Sequence, residues 1–75
     1  MSKDKYRHKS KFIRIGQNIR RIRKLNNLSQ EKLAFEIESN RNYIGCIERS
    51  EKIPSINVLF DLADALKVDI NQFFI

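Results

Sequence analysis

Residues 30–49 read QEKLAFEIESNRNYIGCIER, and the order of sizes and polarities along that run describes two short helices meeting across a tight turn. Leu33, Ala34 and Ile37 form one apolar stripe, and Ile44 and Ile47 a second, at the three- and four-residue spacing of helices. The polar stretch Glu38-Ser39-Asn40 interrupts them. Two helices approach closely only where a small side chain sits at the crossing, and Ala34 is placed midway along the first. Ser29 is a natural N-cap for that first helix, Glu31 in its first turn suits the helix dipole, and Ser39 or Asn40 caps the second. The face of the second helix opposite its isoleucines carries Asn40, Arg41, Asn42, Tyr43 and Cys46.

Outward from this unit the chain stays helical. Phe12, Ile15, Ile19 and Ile22 fall at helical spacing among Arg20, Arg21, Arg23 and Lys24, and Asn26-Asn27 ends that helix with a residue type that accepts a left-handed cap. Residues 50–54 read as a loop. Ser55 caps a fourth helix bearing Ile56, Leu59, Leu62, Ala63 and Leu66, and Asp69 caps a last turn into Phe73-Phe74-Ile75. No stretch alternates in the manner of a strand. The expected organisation is a disordered basic arm over residues 1–11 followed by one all-α domain over residues 12–75.

Composition narrows the function. The chain of 75 residues has room for one small core. One cysteine, Cys46, forms neither an intramolecular disulfide nor a cysteine metal cluster, and His8 lies in the polar arm, so no metal site and no cofactor are expected. No nucleophile–histidine set and no glycine-rich phosphate loop are present, which argues against an enzyme. The apolar runs are too short for a membrane span or a signal segment, so the expected location is the cytoplasm. The net charge of +6 is unevenly spread: residues 1–24 carry +9 and residues 25–75 carry −3. A basic first third suits a polyanionic partner, although a solubilising tail has the same composition.

With a polyanion as partner, the polar face of the second short helix acquires a use. A major groove admits one helix, and base edges are read by side chains such as those at 40, 41, 42 and 46. Two amphipathic helices in an ordinary bundle show the same stripes, so the pattern alone does not decide.

The larger wording does. The runs IGQNIRRIRKLNNLSQEKLA, RNYIGCIER and PSINVLFDLADALKVDINQFF resemble, in register and without gaps over about residues 13–74, the Cro/lambda-repressor-like (XRE-type) helix-turn-helix DNA-binding family. The RNYIGCIER block is similar to restriction-modification controller proteins. The resemblance implies a compact five-helix lambda-repressor-like fold and a transcriptional regulator that reads double-stranded DNA as a homodimer on a two-half-site operator. An antitoxin or phage-switch repressor, or a non-specific nucleic-acid coating protein, are the other readings. It also implies that Arg23 and Glu48 form a structural pair, and that Phe73 closes the core, leaving Phe74 and Ile75 for the dimer interface. The family often has glycine where this chain has Asn27, Glu38 and Ser50.

On this frame Arg41 and Asn42 are the main base readers, since arginine forks onto guanine and asparagine onto adenine. Cys46 is a small group one turn further on. Asn40 is either a cap alone or a cap that also touches a base. Gln30, Tyr43, Arg49 and Lys52 are expected on the DNA backbone, although Tyr43 serves equally well as a cover for the core edge, and Arg49 and Lys52 as ordinary surface charge. No membrane and no small-molecule ligand are expected as partners.

Overall fold

The computed structural model describes residues 7–75. It contains four α-helices, α1 (Lys9–Leu25), α2 (Gln30–Glu36), α3 (Arg41–Glu48) and α4 (Ile56–Leu66), followed by a 3-10 turn (Ile70–Phe73). The described residues are helical or loop, with no strand. The five-helix expectation is corrected in its last member. Residues 70–73 close one 3-10 turn, because Asp69 caps it through a hydrogen bond from Asn71 N–H at 3.1 Å and only four residues follow the cap before Phe74 ends it.

The start of α1 also differs from the expected boundary. The helix begins at Lys9, so Lys9, Ser10 and Lys11 of the expected arm belong to it. The first turn closes on the His8 carbonyl, which accepts from Lys11 N–H at 3.0 Å and Phe12 N–H at 3.1 Å. Sequence periodicity is silent there because these residues face solvent; the helix lengthens by backbone bonding alone. Arg7 and His8 form the turn before it, and residues 1–6 of the expected arm lie outside the described residues.

Each later helix starts at a side-chain cap. Ser29 Oγ accepts from Lys32 N–H at 3.0 Å, Asn40 Oδ1 from Tyr43 N–H at 2.9 Å, and Ser55 Oγ from Val58 N–H at 3.2 Å. The choice between Ser39 and Asn40 falls to Asn40. All four helices end alike. The residue after the last turn takes a left-handed conformation (Asn27 φ 58°, Glu38 φ 55°, Ser50 φ 62°, Lys67 φ 60°). The next amide then bonds back to the carbonyl five residues earlier: Leu28 to Arg23 at 3.1 Å, Ser39 to Ala34 at 2.8 Å, Glu51 to Cys46 at 2.8 Å, Val68 to Ala63 at 3.0 Å. These are Schellman closures made without glycine.

The core gathers Ile15, Ile19 and Ile22 of α1, Leu33 and Ala34 of α2, Ile44 and Ile47 of α3, Leu59, Leu62, Ala63 and Leu66 of α4, and Phe73. Ile56, expected on the buried stripe of α4, is instead exposed. It sits in the first turn, before the helix reaches the core. Gly16 sets how near α1 comes to α3. A Cβ on Gly16 would lie 2.6 Å from the Ile47 carbonyl oxygen and 2.8 Å from that of Glu48, so the two backbones touch where only glycine fits.

Candidate nucleic-acid interface

The site is built by α2, the turn at Glu38 and α3. Leu33 and Ala34 bury one side of α2, and Ile44 and Ile47 the facing side of α3. With its apolar side committed, α3 turns the rest outward. Arg41 and Asn42 are exposed, and Cys46 is half-buried as a free thiol. Gln30, Asn40, Arg41, Asn42, Gly45 and Arg49 line a single open depression on this surface.

Behind it lies a buried polar network that fixes the attitude of α3. Arg23 Nε donates to Glu48 Oε2 at 2.6 Å and its Nη2 donates to Oε1 at 3.1 Å, while Nη1 donates to the Leu28 carbonyl at 2.8 Å. Both side chains are buried. Gln30 Nε2 adds a further bond to Glu48 Oε1 at 3.0 Å. The Glu48 carboxylate thus ties α1 and the start of α2 to the end of α3, and Arg23 adds the α1–α2 turn. Among the described residues no buried side-chain nitrogen or oxygen lacks a partner. Gln30 therefore has an internal task, anchoring α2 to α3, that the sequence reading missed.

The other expected contacts are placed as follows. Asn40 is exposed and its Oδ1 is occupied by the cap, leaving its amide hydrogens outward. Tyr43 is half-buried against the core, and Lys52 Nζ lies 6.0 Å from the centre of its ring. Arg49 is exposed, and its fork holds Glu51: Nε donates to Oε2 at 3.0 Å and Nη2 to Oε1 at 3.1 Å. That bonding raises the Arg49 guanidinium above its ordinary pKa and holds the Glu51 carboxyl below the usual carboxylate range. Glu51 escapes a reading by helical spacing because the two residues are only two apart; the left-handed turn at Ser50 brings them together. Phe74 and Ile75, at 49% and 62% exposure, point to solvent next to buried Phe73. The described residues hold no group of three potential metal ligands and no helix long and apolar enough to cross a membrane.

A small all-helical protein whose second and third helices pack across a left-handed turn, with a polar outer face on the third, is a helix-turn-helix protein. The helix-turn-helix family profile matches residues 19–73. The chain belongs to this family of DNA-binding transcription regulators, in its Cro/lambda-repressor-like (XRE) branch. Over 56 residues it is 41% identical to the control protein C.SmaI of Serratia marcescens, an alignment covering 75% of this chain and 67% of that one. It is 44% identical over 54 residues to the control protein C.BamHI of Bacillus amyloliquefaciens, covering 71% and 67%. The solved structure of the restriction-modification controller protein C.AhdI from Aeromonas hydrophila superposes with a TM-score of 0.86 at 34% identity, covering 91% of this chain and 99% of that one.

Proposed function

We propose that this protein is a sequence-specific transcriptional regulator of the restriction-modification controller type. In this reading it sets α3 in the major groove and binds a two-half-site operator as a homodimer. The observation that carries the reading is the depression in which Gln30, Asn40, Arg41, Asn42 and Arg49 converge on one face of the helix pair. Arg41 and Asn42 are exposed on the first turn of α3, the part of a recognition helix that meets base edges. Arg41 forks onto a guanine and Asn42 onto an adenine, with Cys46 giving close approach one turn on. Tyr43 and Lys52, at the flank, and the amide of Gln30 contact the sugar-phosphate backbone.

Charge supports the same orientation. Lys and Arg crowd the first 24 residues, whereas Glu36, Glu38, Asp61 and Asp64 line a separate groove between the end of α2 and α4. In this docking the acidic groove takes no part in the DNA contact. The dimer contact is assigned to Phe74 and Ile75. Asn18 Nδ2 donates to the carbonyls of Phe73 at 3.0 Å and Ile75 at 2.9 Å. The backbone there is held to α1, and the two outward side chains offer a fixed apolar surface.

Arg41→Ala tests the reading. It is expected to weaken binding to the preferred site by about 1–3 kcal/mol and to relax preference at one base position, measured by competition among single-base variants of that site. Unchanged affinity together with unchanged preference would contradict the docking.

A further inference from the structure

α1 is chemically lopsided. Its 17 residues hold seven Lys and Arg and no acid, and only Arg23 is spent inside the fold, on Glu48. Lys9, Lys11, Arg14, Arg20, Arg21 and Lys24 are exposed, and none of them forms an ion pair among the described residues. Four carboxylates gather elsewhere, in the groove of Glu36, Glu38, Asp61 and Asp64. Like charges four residues apart on a helix, as at Arg20 and Lys24, are destabilising. The helix dipole favours cations in the last turn, Lys24 among them, but opposes Lys9 in the first.

Three of these cations stand where α1 meets α3. Gly16 is the touching point, with no room for a Cβ beside the carbonyls of Ile47 and Glu48. Lys9 precedes Gly16 by seven residues, and Arg20 and Lys24 follow it by four and eight, so all three share its row along the helix. The row ends at the two places already assigned to the DNA backbone. At one end, Phe12, one turn after Lys9, lines a small apolar pocket with Lys52, and its carbonyl accepts from the Ser50 hydroxyl at 3.0 Å. At the other, Lys24 adjoins Arg23, which donates to the Leu28 carbonyl at 2.8 Å and shares Glu48 with Gln30. From Lys9 to Lys24 the row runs roughly 22 Å at about 1.5 Å per residue, against a major groove about 12 Å wide. A helix lying in that groove is flanked by both strands, and the row is long enough to reach each.

We propose that Lys9, Arg20 and Lys24 form a sequence-independent clamp on the phosphates of the duplex that α3 reads, carrying the contact from Lys52 to the start of α2. This rests on the DNA-reading role given above and adds three binding residues to it. Arg21 provides an internal comparison. It has the charge of its neighbour Arg20 but is turned about 100° round the helix, toward Asn18, whose Oδ1 accepts from it at 3.5 Å beside the C-terminal turn.

The probes are two duplexes of equal length, one of unselected sequence and one carrying the sequence that wild type enriches from a random pool, each titrated over a range of salt. Lys9→Gln, Arg20→Gln and Lys24→Gln are each expected to make the slope of log affinity against log salt shallower by about 0.9 on both duplexes, which weakens binding roughly 8-fold at about 0.1 M salt. Base preference stays as in wild type. Arg21→Gln removes the same charge and leaves the slope at the wild-type value. All four side chains are exposed, so circular dichroism should match wild type. Unchanged slopes for the three row variants, with a consensus still enriched, overturn the clamp and leave the regulator reading intact. An equal fall for Arg21→Gln also overturns it, since net charge rather than position would then set the affinity. If the row variants lose slope on the unselected duplex but wild type enriches no sequence, the clamp holds and the regulator reading fails. No binding to any duplex removes both.

Discussion

Two glycines illustrate how much a single position decides. Gly16 has no room for a methyl group, because the carbonyls of Ile47 and Glu48 stand 2.6 and 2.8 Å from where it would go. Those atoms are backbone and yield only if α1 moves away from α3. Gly16→Ala is therefore expected to cost about 1–3 kcal/mol despite alanine's higher helix propensity, measured by urea unfolding; equal or greater stability would show that the contact relaxes freely. Gly45 has the opposite character, since only the end of the flexible Arg49 side chain lies in the way. Gly45→Ala should gain up to about 1 kcal/mol of stability from helix propensity as the guanidinium moves aside; a loss of stability in urea unfolding would show that the Arg49 side chain cannot yield. The Arg23–Glu48 pair is a third case. Glu48→Ala strands a buried guanidinium, and a loss of about 3–5 kcal/mol is expected. This pair was legible through family resemblance alone, because the residues stand 25 apart and no local spacing joins them.

At the scale of elements, the starts of α2, α3 and α4 and the left-handed end of α1 at Asn27 were legible, and the other helix ends were not. Ser29, Ser55 and Asp69 are residue types that cap, and they do; their signal is local chemistry. The other three left-handed ends carry no such signal, since Glu38, Ser50 and Lys67 are ordinary surface residues until the fold places them at positive φ. The glycine habit of the family flagged the first two, and nothing flagged Lys67. Left-handed backbone costs such residues about 1–2 kcal/mol, partly offset in any glycine variant by the extra freedom of the unfolded chain. Glu38→Gly and Lys67→Gly are each expected to stabilise by about 0.5–1 kcal/mol, raising Tm by roughly 2–8 °C for a domain of this size. Ser50→Gly should gain less, because the Ser50 hydroxyl donates to the Phe12 carbonyl at 3.0 Å. A fall in Tm for Glu38→Gly would show that its turn is not strained. The α1 boundary and the shortness of the last turn escaped the sequence for a related reason: solvent-facing backbone bonds leave no hydrophobic period to read.

Viewed whole, the molecule separates its tasks by surface. α3 presents the polar stripe, a groove with four carboxylates lies elsewhere, and Phe74 and Ile75 form an apolar edge beside α1. Since Phe74 is already half covered, its further burial in a dimer would remove about 100 Å² and contribute roughly 2–3 kcal/mol per subunit before the cost of association. Phe74→Ser should move the protein from dimer to monomer in sedimentation and weaken operator binding, with helical content retained. Wild-type protein that stays monomeric at about 100 μM would remove the dimer from the account, since specific operator binding by so small a reader relies on two half-sites. Sequence specificity is measured by comparing affinity for the DNA selected from a random pool with affinity for unselected DNA at one fixed salt concentration. A sequence-specific regulator gives a ratio of about 10³ or more; a ratio near one would make this a coating protein and overturn the assignment.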